Sequence, residues 1–155
     1  GQGKERDALR DKAKAVTKKM RDNYVEGRLG LVIDGTGKDY SKITSQANQL
    51  KQIGYDVHMV FINTSLDVAL ERNRNRPRTV PEKITIDSWN KVQKNIGAFQ
   101  RFFGNKNFVI VDNNEISDNV FDMVGKQVRR MLSKKVDNPT ANAWIENELR
   151  KKRRT

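Results

Sequence analysis

The stretch Leu31-Val32-Ile33-Asp34-Gly35-Thr36 is a short apolar run that ends in an acid, a glycine and a hydroxyl residue. A buried parallel strand that delivers a carboxylate to the edge of a sheet has this pattern. Ligands of open α/β sheets bind outside the carboxyl ends of the strands, so this interpretation places Asp34 and Thr36 at a candidate site. Asp-Gly-Thr is also an ordinary turn after a strand, and the stretch alone favours neither interpretation.

Two further apolar runs, residues 57–62 and 108–111, are continuous enough to form strands that are covered on both faces. Around the three runs, apolar residues recur every three or four positions, which predicts helices. These helices begin near Lys4, Tyr40, Leu66, Pro81, Ile116 and Pro139. The alternation of strands and helices predicts an α/β fold with a mostly parallel three-stranded sheet flanked by helices.

Local signals predict where the helices begin and end. The run Asn63-Thr64-Ser65 has helix N-cap chemistry, and Gly54 and Gly104 suit helix C-termini. Pro77 should end the helix that follows Ser65. The helix after Pro81 has a regular apolar stripe, which predicts core packing of Trp89, Val92, Ile96, Phe99 and Phe103.

No stretch with the composition of a linker interrupts the chain before about Lys134, and the predicted domain organisation follows from this. We predict one α/β domain over residues 1–133 and a C-terminal helix with a basic tail over residues 134–155. The segment 133–138 is the candidate hinge. The last helix either packs on the domain or extends from it.

The composition points to an anionic partner. Lys and Arg number 31 against 19 Asp and Glu, a formal net charge of +12, so nucleic acid, nucleotide phosphates or an acidic surface are expected to bind. The chain has no cysteine and only one histidine, His58, which excludes disulfides, thiol nucleophiles and Cys/His metal sites. No apolar run has the length of a membrane helix, and the charged N-terminus does not resemble a signal peptide. We therefore predict a cytoplasmic protein with no membrane role.

Four arginines follow the second predicted strand in close succession: Arg72, Arg74, Arg76 and Arg78. On a helix, residues four apart share a face, which would let these side chains converge on one anion. Guanidinium groups bind phosphate oxygens through forked hydrogen bonds, and a bound anion would relieve the repulsion between neighbouring positive charges. The run therefore favours a phosphate site over a merely solvated basic face.

Taken in order, these segments resemble the later part of P-loop kinases, most closely the group that contains polynucleotide kinases and zeta-toxin-like kinases. The resemblance rests on the strand ending in Ile33-Asp34-Gly35-Thr36, the run Ala69-Leu70-Glu71-Arg72-Asn73-Arg74-Asn75-Arg76, Val80-Pro81 before a tryptophan-bearing helix, and the strand ending in Asp112-Asn113-Asn114. It covers roughly residues 5–115. The implied fold is an incomplete P-loop NTPase-like (Rossmannoid) domain with a C-terminal helix.

The resemblance implies ATP and Mg²⁺ as cofactors and a phosphotransferase reaction. Asp34 would match the acid of the Walker B-like strand, which helps to hold Mg²⁺ through water, with Thr36 beside it. Asn113 and Asn114 would lie in the loop that lines the adenine pocket.

In the same resemblance, the arginines match the lid that closes over the nucleotide. Arg72 and Arg76 are the candidates for steadying the transferring phosphoryl group, and Arg74 and Arg78 are candidate nucleotide contacts. The sequence does not indicate which of them contacts phosphate.

The chain departs from the family at the P-loop. Its 155 residues lack the sequence Gly-x-x-x-x-Gly-Lys-Ser/Thr, and Gly1-Gln2-Gly3-Lys4 is only superficially similar because Glu5 replaces the hydroxyl residue. In the family fold the P-loop strand lies between the strands that here end in Asp34 and Ile62, so the predicted sheet has a gap. Either those two strands pair directly, or another chain fills the gap, or the sequence is the C-terminal part of a longer protein. We favour the last alternative, which predicts little or no catalysis by the chain as given.

Two other functions remain open: a basic nucleic-acid-binding module, and a structural or assembly protein in which a homo-oligomer completes the sheet. A hydrolase is disfavoured because a His-Ser-acid set requires His58, which lies in a predicted buried strand. The expected partner is a nucleotide or another phosphate-bearing ligand.

Overall fold

The computed structural model describes residues 2–26, 30–115 and 118–154. The chain forms two compact units, Gly1–Gly35 and Thr36–Thr155. The elements in chain order are α1 (Gln2–Glu26), α2 (Tyr40–Gln52), β1 (Met59–Asn63), α3 (Leu66–Arg74), α4 (Glu82–Phe103), β2 (Phe108–Asp112), α5 (Asp118–Leu132) and α6 (Pro139–Arg153). Among the described residues, no helix combines the length and the hydrophobicity that crossing a bilayer requires.

The first unit departs from expectation after α1. The helix predicted from about Lys4 to Glu26 is confirmed by α1, but residues 31–33 do not form the predicted strand. Val32 and Ile33, expected to be buried, are 91% and 46% exposed. A strand is stable when a neighbouring strand satisfies its backbone N–H and C=O groups, and residues 30–36 have no such ladder. Within the described residues the sheet is therefore two-stranded rather than three-stranded.

The second unit is built on the parallel pair of β1 and β2. The register runs from Met59 opposite Phe108 to Asn63 opposite Asp112. Helices α3 and α4 lie between the two strands along the chain, as a parallel connection requires. α4 contacts β2, and α5 packs against both strands. The sheet and its helices confirm the predicted α/β class, and the parallel pairing brings the carboxyl ends of both strands to one edge.

The core of the second unit is aromatic. Phe61 and Phe108 of the sheet pack with Phe99 and Phe103 of α4 and with Ala47 of α2. Phe99 is completely buried, and its ring centroid lies 5.3 Å from that of Tyr40 and 6.4 Å from that of Phe61. Burial of each such ring contributes about 1.5–3 kcal/mol. Val92 and Ile96 pack against the same cluster, so the predicted core packing of α4 is confirmed for these two residues and for Phe99 and Phe103, while Trp89 is half-buried.

The predicted helix ends are also confirmed. The Ser65 hydroxyl accepts a hydrogen bond from the Val68 N–H at the start of α3. Gly54 and Gly104, which follow α2 and α4, have φ angles of 112° and 80°, a conformation that glycine adopts without strain. Local capping therefore fixes where these helices begin and end.

The beginning of α6 is attached to the end of α2. The Asn138 side-chain amide donates hydrogen bonds to the carbonyl oxygens of Lys51 and Tyr55, at 2.8 and 3.0 Å. Its oxygen accepts from the N–H groups of Thr140 and Ala141 and so caps α6. The N-terminal end of the last helix thus packs on the second unit. The predicted domain boundary between residues 133 and 134 stays a prediction.

Candidate functional site

Polar residues follow both strands at the carboxyl edge of the sheet. The Asn113 N–H donates to the Asn63 carbonyl oxygen at 2.8 Å, which extends the ladder by one bond. The Asn114 side-chain oxygen then accepts a hydrogen bond from the Ser65 N–H at 2.6 Å, at the residue that caps α3. The loop after β2, which includes the predicted adenine-pocket residues, is therefore tied to the start of α3.

Arg72 joins this edge from α3. One Nη atom of Arg72 donates a hydrogen bond to the Asn113 carbonyl oxygen at 2.6 Å, and the residue is half-buried. A guanidinium group has five N–H donors, so donors remain for a further acceptor. The structure therefore brings together two residues that the sequence placed in one site, and it shows Arg72 holding the β2 loop.

The other three arginines are not arranged as the helical spacing predicted. α3 ends at Arg74, so Arg76 and Arg78 lie in the loop that leads to α4 and share no helical face with the earlier pair. Pro77 explains this difference, because proline lacks an N–H and keeps the preceding residue out of helical conformation. The prediction of convergence along one helix is therefore wrong, while the predicted break at Pro77 is confirmed.

We refer to residues 76–80, which follow the C-cap residue Asn75 of α3, as the arginine loop. Just before the loop, Arg74 forms an ion pair with Glu82 of α4 at 2.7 Å, with side chains 61% and 52% exposed. Arg76 and Arg78 are exposed, and neither side chain makes a hydrogen bond or an ion pair with any other described residue. A shallow depression of about 500 Å³ lies at the base of the loop, lined by Asn73, Arg74, Thr79, Val80, Pro81 and Glu82.

Asn73 closes the base of the arginine loop. It is 5% exposed; its amide nitrogen donates to the Val80 carbonyl oxygen at 2.8 Å, and its oxygen accepts from the Val80 N–H at 3.1 Å. The sequence analysis did not single out Asn73 as a site residue. An asparagine immediately before a proline-containing loop was the available signal, because asparagine side chains commonly bond to nearby backbone groups.

Two polar residues of α4 reach the end of β1 and were also missed as site residues. The Trp89 indole N–H donates to the Thr64 carbonyl oxygen at 2.9 Å, and the Gln93 amide donates to the Asn63 side-chain oxygen at 2.8 Å. The apolar periodicity of α4 accounted for Trp89 as a core residue and gave no indication of its polar partner. These bonds fix α4 against the carboxyl edge of the sheet, which Arg72 also reaches through Asn113.

The structure does not relate Asp34 to the arginines, because Asp34 belongs to the first unit and the arginines to the second. Both Asp34 and Thr36 are exposed. Within the second unit, the Gly37 carbonyl oxygen accepts a hydrogen bond from the Asn95 side chain at 3.0 Å, which ties Gly37 to α4. No group of three or more His, Cys, Asp or Glu residues in the described ranges has the arrangement of a metal site. Mg²⁺ binding by Asp34 stays a prediction.

His58 lies immediately before β1 and is half-buried. Burial lowers the pKa of His58 from its ordinary value of 6.5, and the Lys134 ammonium group lowers it further, whereas Asp56 opposes these effects. The neutral form is therefore favoured in the folded chain.

Comparison with known families adds the decisive observation. Residues 4–122 match the zeta toxin family, and this range includes both strands, the arginine loop and the loop after β2. The chain belongs to the zeta toxin family. It is a family of P-loop kinase-like proteins, so the predicted resemblance is confirmed and a kinase-like, nucleotide-binding function is supported. No curated protein and no solved structure matches the chain.

The zeta toxin match extends from α1 into α5 and does not include α6. The arginines and Asn113 thus lie within the matched range, and so do Asp34 and Thr36. The match supports the family assignment of the whole region. The individual roles of these residues remain to be proposed.

Proposed function

We propose that this chain belongs to an ATP-dependent phosphotransferase and supplies the arginines and the base-binding loop of its nucleotide site. In the reaction, an acceptor hydroxyl oxygen forms a bond to the γ-phosphorus, the bond to the β,γ-bridging oxygen breaks, and ADP leaves. The acceptor proton passes to a base. The observation that carries the proposal is the exposed, unpaired pair of Arg76 and Arg78 on a loop that Asn73 closes, next to the helix whose Arg72 bonds to the loop after β2.

The four arginines have different surroundings, which supports a division of roles. Arg72 already bonds to the Asn113 carbonyl oxygen, and Arg74 is paired with Glu82. Arg76 and Arg78 keep all their donors for a ligand, so we assign the phosphate contacts to them. Charge-assisted bonds from guanidinium to phosphate are the strongest single interactions such a surface offers, and they stabilise charge in phosphoryl transfer.

The Asn113–Asn114 loop is proposed to hold the adenine. The Asn114 oxygen is taken by the Ser65 N–H, but its amide nitrogen has no partner among the described residues, so it can donate to a ring nitrogen of the base. Arg72 supports this loop and would act on the base indirectly. Asp34 is proposed to hold Mg²⁺ through water, with Thr36 nearby, as the family resemblance implies.

The strength of binding is proposed to be low. The 155 residues contain no Walker A sequence, and the backbone amides of that sequence supply much of the phosphate binding in P-loop proteins. We therefore propose that the chain binds Mg-ATP weakly and does not transfer its phosphoryl group unaided. Its cytoplasmic location is likewise a proposal.

The test is calorimetric titration of the chain with Mg-ATP. We expect saturable binding, and we expect the double variant Arg76→Ala/Arg78→Ala to bind about tenfold more weakly, since two charge-assisted contacts are lost. The double variant Arg129→Ala/Arg130→Ala on α5 removes the same charge from exposed positions elsewhere. It is the matched control and should retain the original affinity.

Equal losses in both double variants would show that the affinity depends on total charge and not on the arginine loop. An absence of Mg-ATP binding by the unmodified chain would contradict the proposal. Tight, salt-sensitive binding of a single-stranded oligonucleotide in that case would favour the nucleic-acid-binding alternative. Concentration-dependent dimerisation would favour the assembly alternative, since each strand of the two-stranded sheet has one neighbour among the described residues.

A further inference from the structure

Asn73 occupies an unusual position beside the arginine loop. It is the last buried residue before the loop, and both ends of its side-chain amide bond to the backbone of one residue, Val80, at the far end of the loop. This paired arrangement reproduces the two hydrogen bonds that backbone groups exchange in an antiparallel sheet. The ends of the loop are therefore closed by one side chain.

The two bonds use a donor atom and a separate acceptor atom of one side chain. Asparagine has an acceptor and two donors on one planar group, whereas aspartate offers acceptors alone and alanine offers neither. The second tie across the loop, the ion pair between Arg74 and Glu82, is more than half exposed, so it contributes little. Asn73 is consequently the buried one of these two ties between the ends of the arginine loop, residues 76–80.

We propose that Asn73 is a positioning residue that holds Arg76 and Arg78 in place for the phosphate groups of a nucleotide. This inference rests on the proposed function of the arginine loop. Asn73 itself does not contact the phosphates; it acts by keeping the loop in one conformation. A ligand that binds only this conformation loses affinity in proportion to the fraction of chains in which the loop is no longer held.

Amide hydrogen exchange measures the restraint directly. In Asn73→Ala, the amides of Arg76, Arg78, Thr79 and Val80 should exchange faster, and that of Val80 by about tenfold, because the Val80 N–H loses its acceptor and the loop opens. Asn75→Ala is the matched control: it removes the same side chain two positions away, where Asn75 is exposed and its side chain makes no hydrogen bond to a described residue. Exchange in the control should stay close to that of the unmodified chain, and so should exchange in β1 and β2 of both variants.

Mg-ATP titration of the same variants measures the consequence. We expect Asn73→Ala to bind at least about fivefold more weakly and Asn75→Ala to bind normally. Asn73→Asp keeps the size of the side chain and an acceptor for the Val80 N–H, but it removes the donor to the Val80 carbonyl oxygen. Asn75→Asp adds the same negative charge two positions away and is the matched control. The Asp pair therefore repeats the test if Asn73→Ala does not fold.

The outcomes separate the two proposals. If the unmodified chain binds no Mg-ATP, the proposed function fails and the positioning role fails with it. A second outcome is that the chain binds Mg-ATP while a variant at position 73 has the same exchange rates, or the same affinity, as the matching variant at position 75. That result overturns only the role of Asn73. Faster exchange confined to the loop, together with weaker binding, supports it.

Discussion

Single side chains at the carboxyl edge decide which groups remain for a ligand. The sequence presents four equivalent arginines, yet their partners differ: a carbonyl oxygen for Arg72, a carboxylate for Arg74, and no described partner for Arg76 and Arg78. A guanidinium that is already neutralised gains less from binding a phosphate than one that is not. Chemistry at this scale therefore depends on neighbours that are distant in sequence, such as Asn113 for Arg72.

The surroundings of His58 predict a pH-dependent stability. Because burial lowers the pKa of His58 below 6.5, the unfolded chain binds a proton more readily than the folded chain. The free energy of unfolding should fall as pH decreases through 6.5 and should level off below the folded-state pKa. The slope for one proton is at most about 1.4 kcal/mol per pH unit, and the partial exposure of His58 keeps the effect smaller.

Urea unfolding of the chain and of His58→Gln at several pH values on both sides of 6.5 measures this effect. The carboxylates titrate in both proteins. The difference between the two free energies of unfolding therefore reports the contribution of His58. A difference that does not change with pH would contradict the prediction.

At the scale of elements, turns decide where the functional residues are presented. Pro77 ends α3 and creates the arginine loop, and the capping residues Ser65 and Gly104 fix the limits of the neighbouring helices. These are local effects, and each was predictable from the sequence. The hydrogen bonds from Asn73 to Val80 are also local in sequence. Which residue Asn73 bonds to, however, depends on the path that the chain takes after Pro77.

Gly37 is a second turn whose residue type matters. Its φ angle is 69°, and an added Cβ atom would lie 3.2 Å from the buried ring of Phe61. We expect Gly37→Ala to lower the free energy of unfolding by about 1–2 kcal/mol, since left-handed backbone is costly for residues with a Cβ atom. The urea midpoint should fall accordingly.

Gly97 in the interior of α4 provides the opposite case. An added Cβ atom there would meet only the Arg101 side chain, at 3.5 Å, so Gly97→Ala should raise stability by about 0.5–1 kcal/mol through helix propensity. The urea midpoint should therefore fall in Gly37→Ala and rise in Gly97→Ala. Shifts in the same direction would contradict the roles assigned to the two glycines.

At the scale of the whole molecule, charge dominates the expected interactions. The net charge of +12 attracts any polyanion, but this attraction is not specific and weakens as counterions accumulate. The arginine loop offers two free guanidinium groups in one place, which suits a compact polyphosphate. Salt dependence therefore separates a general electrostatic surface from a defined site.

We expect the affinity for a single-stranded oligonucleotide to fall by at least about tenfold between low and moderate salt, following the release of counterions from several phosphates. The affinity for Mg-ATP should fall less, because fewer charges take part. Titrations of both ligands at two salt concentrations measure the difference. Oligonucleotide binding that persists at the higher salt would indicate a specific nucleic-acid site.

The sequence by itself determined the α/β class, the helix limits, the aromatic core stripe of α4 and the family. These features depend on hydrophobic period, capping chemistry and motif order, all of which are encoded over short ranges. The pattern of residues 31–33 predicted a strand that does not form, since strand formation requires a hydrogen-bonded neighbour that residue pattern cannot guarantee. Only the tertiary structure decided the partner of Arg72 and the bonds of Trp89 and Gln93, because those contacts exist only after β1, β2 and their helices have packed together. It also decided the bonds of Asn73, because they depend on the path of the chain after Pro77 and not on residue pattern.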